Sequence, residues 1–271
     1  MGYNTRRYWN NKEKRAEKAR EYTQLMDYYY GDEIKDIVEF DTKEYSDGFE
    51  INHKTYTREH TEFILEDTDS VSAILKYSTE FDDENLYTTA VLNFASYKNP
   101  GGKFIEGSKA QEECLCHESY LYNVLKEFDN TFYEWNRRHK NSTLYLNRAL
   151  YSCSVRFMRD DKFRYCHVIT CASPNKTASQ KYCGITDEEN SKVLRDRIDF
   201  VLNIAKDNLV ETLILGAYGC GVFGQDPYEV AQIFKELLTT KYKCFDKVIF
   251  AIPNKNEENY KAFEKVFKEM M

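Results

Sequence analysis

The chain has 271 residues, enough for one large domain or two small ones around a substantial buried core. Aromatic residues make up 15% of it and charged residues 31%, which argues against a disordered chain. The net charge of −7 gives no global attraction for nucleic acid or an anionic membrane, so direct nucleic-acid binding is not expected, and an anionic ligand must be held by local backbone donors and a few cations.

In chain order, residues 5–29 read as a helix in which basic residues outnumber acidic ones but are not confined to one face. That pattern predicts a solvated helix packed on the domain by Tyr22, Leu25 and Tyr29. Met1 to Arg20 is polar and lacks the apolar core of a signal peptide. Residues 31–61 look polar and irregular, with Asp47-Gly48 as a turn signal. Thr61 to Leu65 is the first convincing strand, and Asp67 to Ser70 caps a short helix ending near Tyr77. Thr89 to Ala95 reads as a buried strand. Gly101-Gly102 then forms a tight turn, and glycine there would let backbone come close to a ligand. Ser108 followed by Gln111 matches a capping box and predicts a helix that carries Glu112 and Glu113 in its first turn. Cys114, Leu121, Leu125 and Phe128 continue with helical spacing.

Ala149 to Met158 and Tyr165 to Cys171 look like strands joined by a charged hairpin at Arg159 to Lys162. A helix over about Asp187 to Lys206 leads to the strand Thr212 to Leu215. Gly219-Cys220-Gly221-Val222-Phe223-Gly224 follows, a Gly-x-Gly-x-x-Gly run whose successive N–H groups suit a diphosphate. Asp226 and Pro227 then start a helix to Thr239. A strand over Lys247 to Ile252 and a helix from about Glu257 end the chain. The glycine run alone would suggest a dinucleotide-binding unit. It lies late in the chain, however, and the next strand runs into Ile252-Pro253-Asn254 without the acidic residue such a unit needs. Alternating strands and helices argue for one α/β layered domain.

The eight cysteines form no Cys-x-x-Cys pair, and several fall in apolar patterns. A reduced, cytoplasmic protein is the expectation. Cys114 and Cys116 would diverge on a helix and lack a second pair, so no metal and no cofactor are expected. No run approaches the ~18 apolar residues of a membrane span, so no membrane partner is expected.

Gly101-Gly102-Lys103 with Gln111-Glu112-Glu113 resembles the signature of poly(ADP-ribose) glycohydrolases, a glycine triplet followed after a short spacer by Gln-Glu-Glu. Lys103 stands where the family has its third glycine. Val168 to Asn175 and Leu215 to Gly224 resemble two further blocks of the microbial-type enzymes, in the family's order. The resemblance implies a macrodomain-like three-layer sandwich, a mixed central sheet with helices on both faces, over residues 61–271. Residues 1–60 would be an N-terminal helical and irregular extension packed on it.

The resemblance also implies hydrolysis of the ribose–ribose O-glycosidic bond of poly(ADP-ribose), through an oxocarbenium-like transition state. By resemblance Glu113 is the general acid and then base, and Glu112 holds a ribose hydroxyl. Substrate binding is expected at Asn99, Gly101, Gly102, Lys103 and Gln111, and at Gly219, Cys220, Gly221, Val222, Phe223 and Gly224. The partner implied is ADP-ribose or poly(ADP-ribose) on modified proteins. Asn99 can serve a ribose or the turn before Pro100, and Lys103 can reach a phosphate or solvent. Phe223, in a loop of glycines, reads as a ribose-facing wall. Two alternatives stay open: a non-catalytic reader of ADP-ribose, or a hydrolase of single ADP-ribose units on protein or nucleic acid.

Overall fold

The computed structural model describes residues 10–51, 53, 56–80 and 88–271. Seven strands form one sheet: β1 Thr42–Ser46, β2 Glu62–Glu66, β3 Thr89–Phe94, β4 Arg148–Arg159, β5 Lys162–Cys171, β6 Thr212–Leu215 and β7 Lys247–Ala251. Their spatial order is β1-β4-β5-β3-β6-β7-β2. From β5 to β2 neighbouring strands run parallel, while β4 is antiparallel to both β5 and β1, so the sheet is mixed.

The described α-helices are α1 Lys12–Glu39, α2 Ser70–Tyr77, α3 Gln111–His117, α4 Leu121–Lys126, α5 Glu134–Arg138, α6 Lys176–Cys183, α7 Asp187–Asp207, α8 Pro227–Thr240 and α9 Glu258–Phe267. They cover both faces, because central strands buried on two sides alternate their apolar residues between two cores. Ala90, Leu92, Ile169 and Val248 join the core under α7, α8 and α9. Val91, Val168, Ile214 and Ile249 join the core under α1 to α4. Each fully buried Val, Leu or Ile contributes roughly 1.5–3 kcal/mol. The result is the three-layer sandwich expected of the sequence.

The N-terminal region differs from its sequence reading. The helix runs to Glu39 through a kink at Tyr30, and residues 5–9 of the expected helix lie outside the described residues. Its packing stripe is Ala19, Met26, Ile34 and Ile37, with Tyr22 partly buried against the same core. Leu25 and Tyr29 face solvent instead, at 43% and 66% exposure. The stretch read as irregular supplies β1, an edge strand paired to β4 from Thr42↔Ser152 to Ser46↔Arg148. Only Tyr45 of this strand is buried, so its polar sequence hid it. The sheet therefore begins before residue 61. The sequence reading also passed over α6, which Asn175 caps by accepting from the Ala178 N–H.

Candidate active site

Parallel strands β5, β3 and β6 deliver their following loops to one edge of the sheet, the carboxyl-end crevice where α/β sheets hold ligands. On β3 the two-residue period puts Asn93 on the same side as Val91, facing α3. Asn93 is fully buried, and its Nδ2 donates to Glu112 Oε1 and to Thr170 Oγ1, both at 3.3 Å. Just past the strand, the Ser96 N–H donates to Glu112 Oε2 at 2.7 Å.

The chain then turns on Gly101 and Gly102, at φ 61° and 64°, in the left-handed region that glycine tolerates. The Lys103 N–H donates to Glu113 Oε1 at 2.9 Å. A Cβ on Gly102 would lie 2.6 Å from Glu113 Oε1 and 2.8 Å from Glu112 Oε2. The loop thus presses bare backbone against both carboxylates. Its far end is braced by α1: Arg15 Nε donates to Gly107 O at 2.7 Å, and a Cβ on Gly107 would run into the Lys12 carbonyl.

The capping box expected at Ser108 does not form. The Ser108 N–H donates to Lys103 O, and Ala110 occupies the cap position without a side-chain bond. Gln111 is used differently. Its Oε1 accepts from the Phe94 N–H at 2.8 Å, and its Nε2 donates to Leu92 O at 2.9 Å and Ser70 Oγ at 3.1 Å. Gln111, expected to touch substrate, instead ties α3 to β3 with its whole amide engaged.

The two glutamates are not equivalent. Both are buried, but both oxygens of Glu112 accept hydrogen bonds. Burial pushes the Glu112 carboxyl well above the usual carboxylate range, and the neighbouring Glu113 charge adds to this against the pull of the Ser96 and Asn93 donors. Glu113 has one oxygen on the Lys103 N–H, and its buried Oε2 accepts from no described residue. A buried carboxylate oxygen without a donor is costly, and such groups mark chemistry.

Across the crevice, Gly219 and Gly224 sit at φ 77° and 72°. A Cβ on either would collide with Ser173 Oγ or Thr177 Oγ1 respectively. Gly221 is different, since a Cβ there would meet nothing within 4 Å. The Cys220 N–H donates to Ala217 O and the Gly224 N–H to Gly221 O, whereas no described residue accepts from the N–H groups of Gly221, Val222 or Phe223. Three successive donors at an open turn form an anion nest. Cys220 turns its Sγ to Tyr218 O at 3.7 Å, and burial pushes its thiol up to about 12. The Val222 side chain is 85% exposed.

Phe223 connects this loop to the first. Its ring lies 6.1 Å from Tyr145, which stacks on Tyr97 at 4.2 Å. Asn99 is exposed at the rim, and its carbonyl accepts the Gly102 N–H as a turn residue does. Lys103 points outward, pairing with Glu106 at 3.6 Å where both side chains are 60% exposed. Sequence reasoning missed Asn93, Ser96, Tyr97 and Tyr145. Asn93 alone left a signal, as a polar residue inside an apolar run.

A sandwich of this type, with paired carboxylates seated on one glycine loop and an anion nest on the next, defines an ADP-ribose-type glycosidase site. The model of the microbial-type PARG catalytic domain matches residues 5–160. The chain belongs to that family, the microbial-type poly(ADP-ribose) glycohydrolases. Its structure is similar to poly(ADP-ribose) glycohydrolase from Thermomonospora curvata, with TM-score 0.82 and 28% identity over 94% of this chain and 100% of the other. The same enzyme bound to the inhibitor ADP-HPD gives TM-score 0.79 at 28% identity, over 93% and 99% of the two chains. Poly(ADP-ribose) glycohydrolase from Deinococcus radiodurans in complex with ADP-ribose gives TM-score 0.69 at 32% identity, over 78% and 86%. Comparison with curated protein sequences gives no match.

Proposed function

We propose that this chain hydrolyses the ribose–ribose O-glycosidic bond at the end of poly(ADP-ribose), releasing ADP-ribose, with Glu113 as the proton-transfer group. The observation that carries the residue assignment is the asymmetry of the two carboxylates: among the described residues Glu113 keeps a buried oxygen without a donor, and Glu112 keeps none. In this reading Glu113 Oε2 gives a proton to the leaving oxygen as the bond to C1″ breaks and positive charge develops on the ribose. The same carboxylate then takes a proton from the incoming water. Glu112, held toward its neutral form by burial, positions a ribose hydroxyl. The N–H groups of Gly221, Val222 and Phe223 take the diphosphate, and the Phe223 ring walls the ribose.

The substrate would be carried on modified proteins. A reducing, cytoplasmic setting is proposed with it, in which all eight cysteines would stay free thiols. Incubation with purified poly(ADP-ribose) and with mono-ADP-ribosylated protein, scoring free ADP-ribose, tests the reading. Release from the polymer is expected. Release only from the mono-modified protein would move the substrate to single units, and release from neither would sink the proposal.

A further inference from the structure

One exposed feature beside the site takes no part in the chemistry above. The segment from Glu134 to Lys140 carries Trp135, Arg137, Arg138, His139 and Lys140 on the surface or at its edge. It is fastened to the start of the first glycine loop. Asn136 Nδ2 donates to Tyr97 O at 2.9 Å, Arg137 Nη1 donates to Lys98 O at 2.9 Å, and Tyr97 Oη donates to His139 O at 3.0 Å. Lys98 and Lys140 are therefore held on the same rim as Asn99, next to the loop that seats Glu113.

The local charge opposes that of the chain as a whole. Arg137 is paired with Asp129 and Glu134, and Arg138 shares Glu134. Lys98 and Lys140 are exposed and have no ion pair among the described residues. Four cations thus face two carboxylates, in a chain of net charge −7. The exposed His139 ring is stacked on Trp135 at 3.9 Å and held there, as its Nδ1 contacts Trp135 O at 2.7 Å. The buried Arg148 guanidinium lies 4.1 Å over the same indole. Cations interleaved with a fixed aromatic pair suit a flexible chain of diphosphates and bases.

We infer that this rim, centred on Lys98, Arg138, His139 and Lys140, binds the part of the poly(ADP-ribose) chain beyond the unit being cleaved. The inference rests on the hydrolase reading above. In that reading the leaving group is the rest of the polymer, and it leaves C1″ with the oxygen that Glu113 protonates. It must therefore extend out past residues 98–103, the loop lying against Glu113. Each polymer unit adds a diphosphate, so exposed unpaired lysines on that path give affinity that a single ADP-ribose cannot use.

The test measures binding in a Glu113→Gln background, with labelled long poly(ADP-ribose) and, separately, with ADP-ribose. Lys98→Glu with Lys140→Glu is compared with the milder Lys98→Gln with Lys140→Gln, both checked for an unchanged melting temperature. The expected result is a polymer affinity lowered by ~10-fold at low salt for the glutamate pair and by less for the glutamine pair, the difference shrinking at high salt. ADP-ribose affinity should not change. Unchanged polymer affinity in both pairs overturns the inference, as does an equal loss for ADP-ribose. Single-stranded RNA that binds as tightly as the polymer, with the same loss, would make the rim a general polyanion surface and also overturn it. If ADP-ribose binds no form of the protein, the hydrolase reading fails, while the polymer's response to the two pairs still scores the rim.

Discussion

The two glycine loops look alike in sequence and are built for opposite purposes. In the first, the space a Cβ would need at Gly102 is filled by the protein's own carboxylates, and the N–H groups of Gly102, Lys103 and Phe104 are all engaged inside the fold. In the second, Gly221 faces open space, and three successive N–H groups find no acceptor among the described residues. The usual argument, that glycine admits a ligand's close approach, therefore applies to Gly221 and not to Gly102. The first loop is a seat for two acids, and the second is the open one, to which the proposed function assigns the diphosphate. The two loops are thus built for a division of labour.

That division is most directly broken at Glu113. Glu113→Gln keeps the shape and can keep the bond from the Lys103 N–H, but it cannot shuttle a proton. Release of ADP-ribose from polymer should fall ~100-fold or more, while calorimetry with ADP-ribose shows binding retained. A variant that cleaves as fast as the parent would take the chemistry away from the first loop. Gly102→Ala comes next. It puts a methyl group 2.6 Å from Glu113 Oε1 at a φ of 64°, so either loop or carboxylate must shift. Turnover should drop by at least ~10-fold, with ~1–3 kcal/mol lost in urea unfolding. An intact rate would show that the carboxylates need no fixed seat.

Proton linkage should also report on the first loop alone, because Glu112 and His117 both sit on the helix beneath it. Burial, with Arg15 nearby, lowers His117 to about 4 from 6.5. The folded state disfavours its protonation, so its contribution is present above about pH 6.5 and is lost as pH falls toward 4. The loss amounts to ~3 kcal/mol across that window. Glu112 runs the other way. Its raised folded-state value means a contribution present below the ordinary glutamate range and lost as pH rises through the raised value. Urea midpoints across pH should flatten on the acid side in His117→Gln and, in Glu112→Gln, as pH rises from the ordinary glutamate range. Opposite slopes, or curves that stay parallel to the parent, would place the titrating groups elsewhere. At the second loop, Gly221→Ala should leave the unfolding midpoint within ~0.5 kcal/mol of the parent, because its Cβ meets nothing. It should weaken ADP-ribose by ~10-fold if the diphosphate lies there. The reverse pattern would assign Gly221 to the fold.

Much of this was legible because strong local signals agreed. The apolar runs at Thr89 to Ala95 and Thr212 to Leu215, the Asp226-Pro227 start of α8 and the helix read from about Asp187 to Lys206 all match their elements closely. What stayed hidden depends on contacts distant in sequence. β1 is polar because it is an edge strand, and only its pairing to β4 identifies it. Gln111 fits a capping box by spacing, yet its amide is taken by β3, which a local pattern cannot show. Tyr145 reaches Phe223 and Tyr97 from a loop in which Asn141, Ser142, Thr143 and Tyr145 all have positive φ, a conformation with no sequence mark in non-glycine residues.

The smallest expected effect is at Lys103, where the family signature has glycine and the sequence left two roles open. Its backbone, not its side chain, serves the site: the N–H holds Glu113 Oε1, and any residue except proline provides that group. The ammonium lies outward, 3.6 Å from Glu106, with both groups 60% exposed. An exposed pair of this kind contributes little to stability, and salt screens its charge. Backbone strain does not favour glycine at position 103 either, since Lys103 is not among the residues with positive φ. Lys103→Gly should therefore change turnover and ADP-ribose affinity by less than ~2-fold, with the salt dependence of binding unaltered. A clear loss of affinity with a shallower salt dependence would put the ammonium on a phosphate and give the first loop a share of the diphosphate. A clear gain in turnover would mean that the side chain obstructs the seat of Glu113.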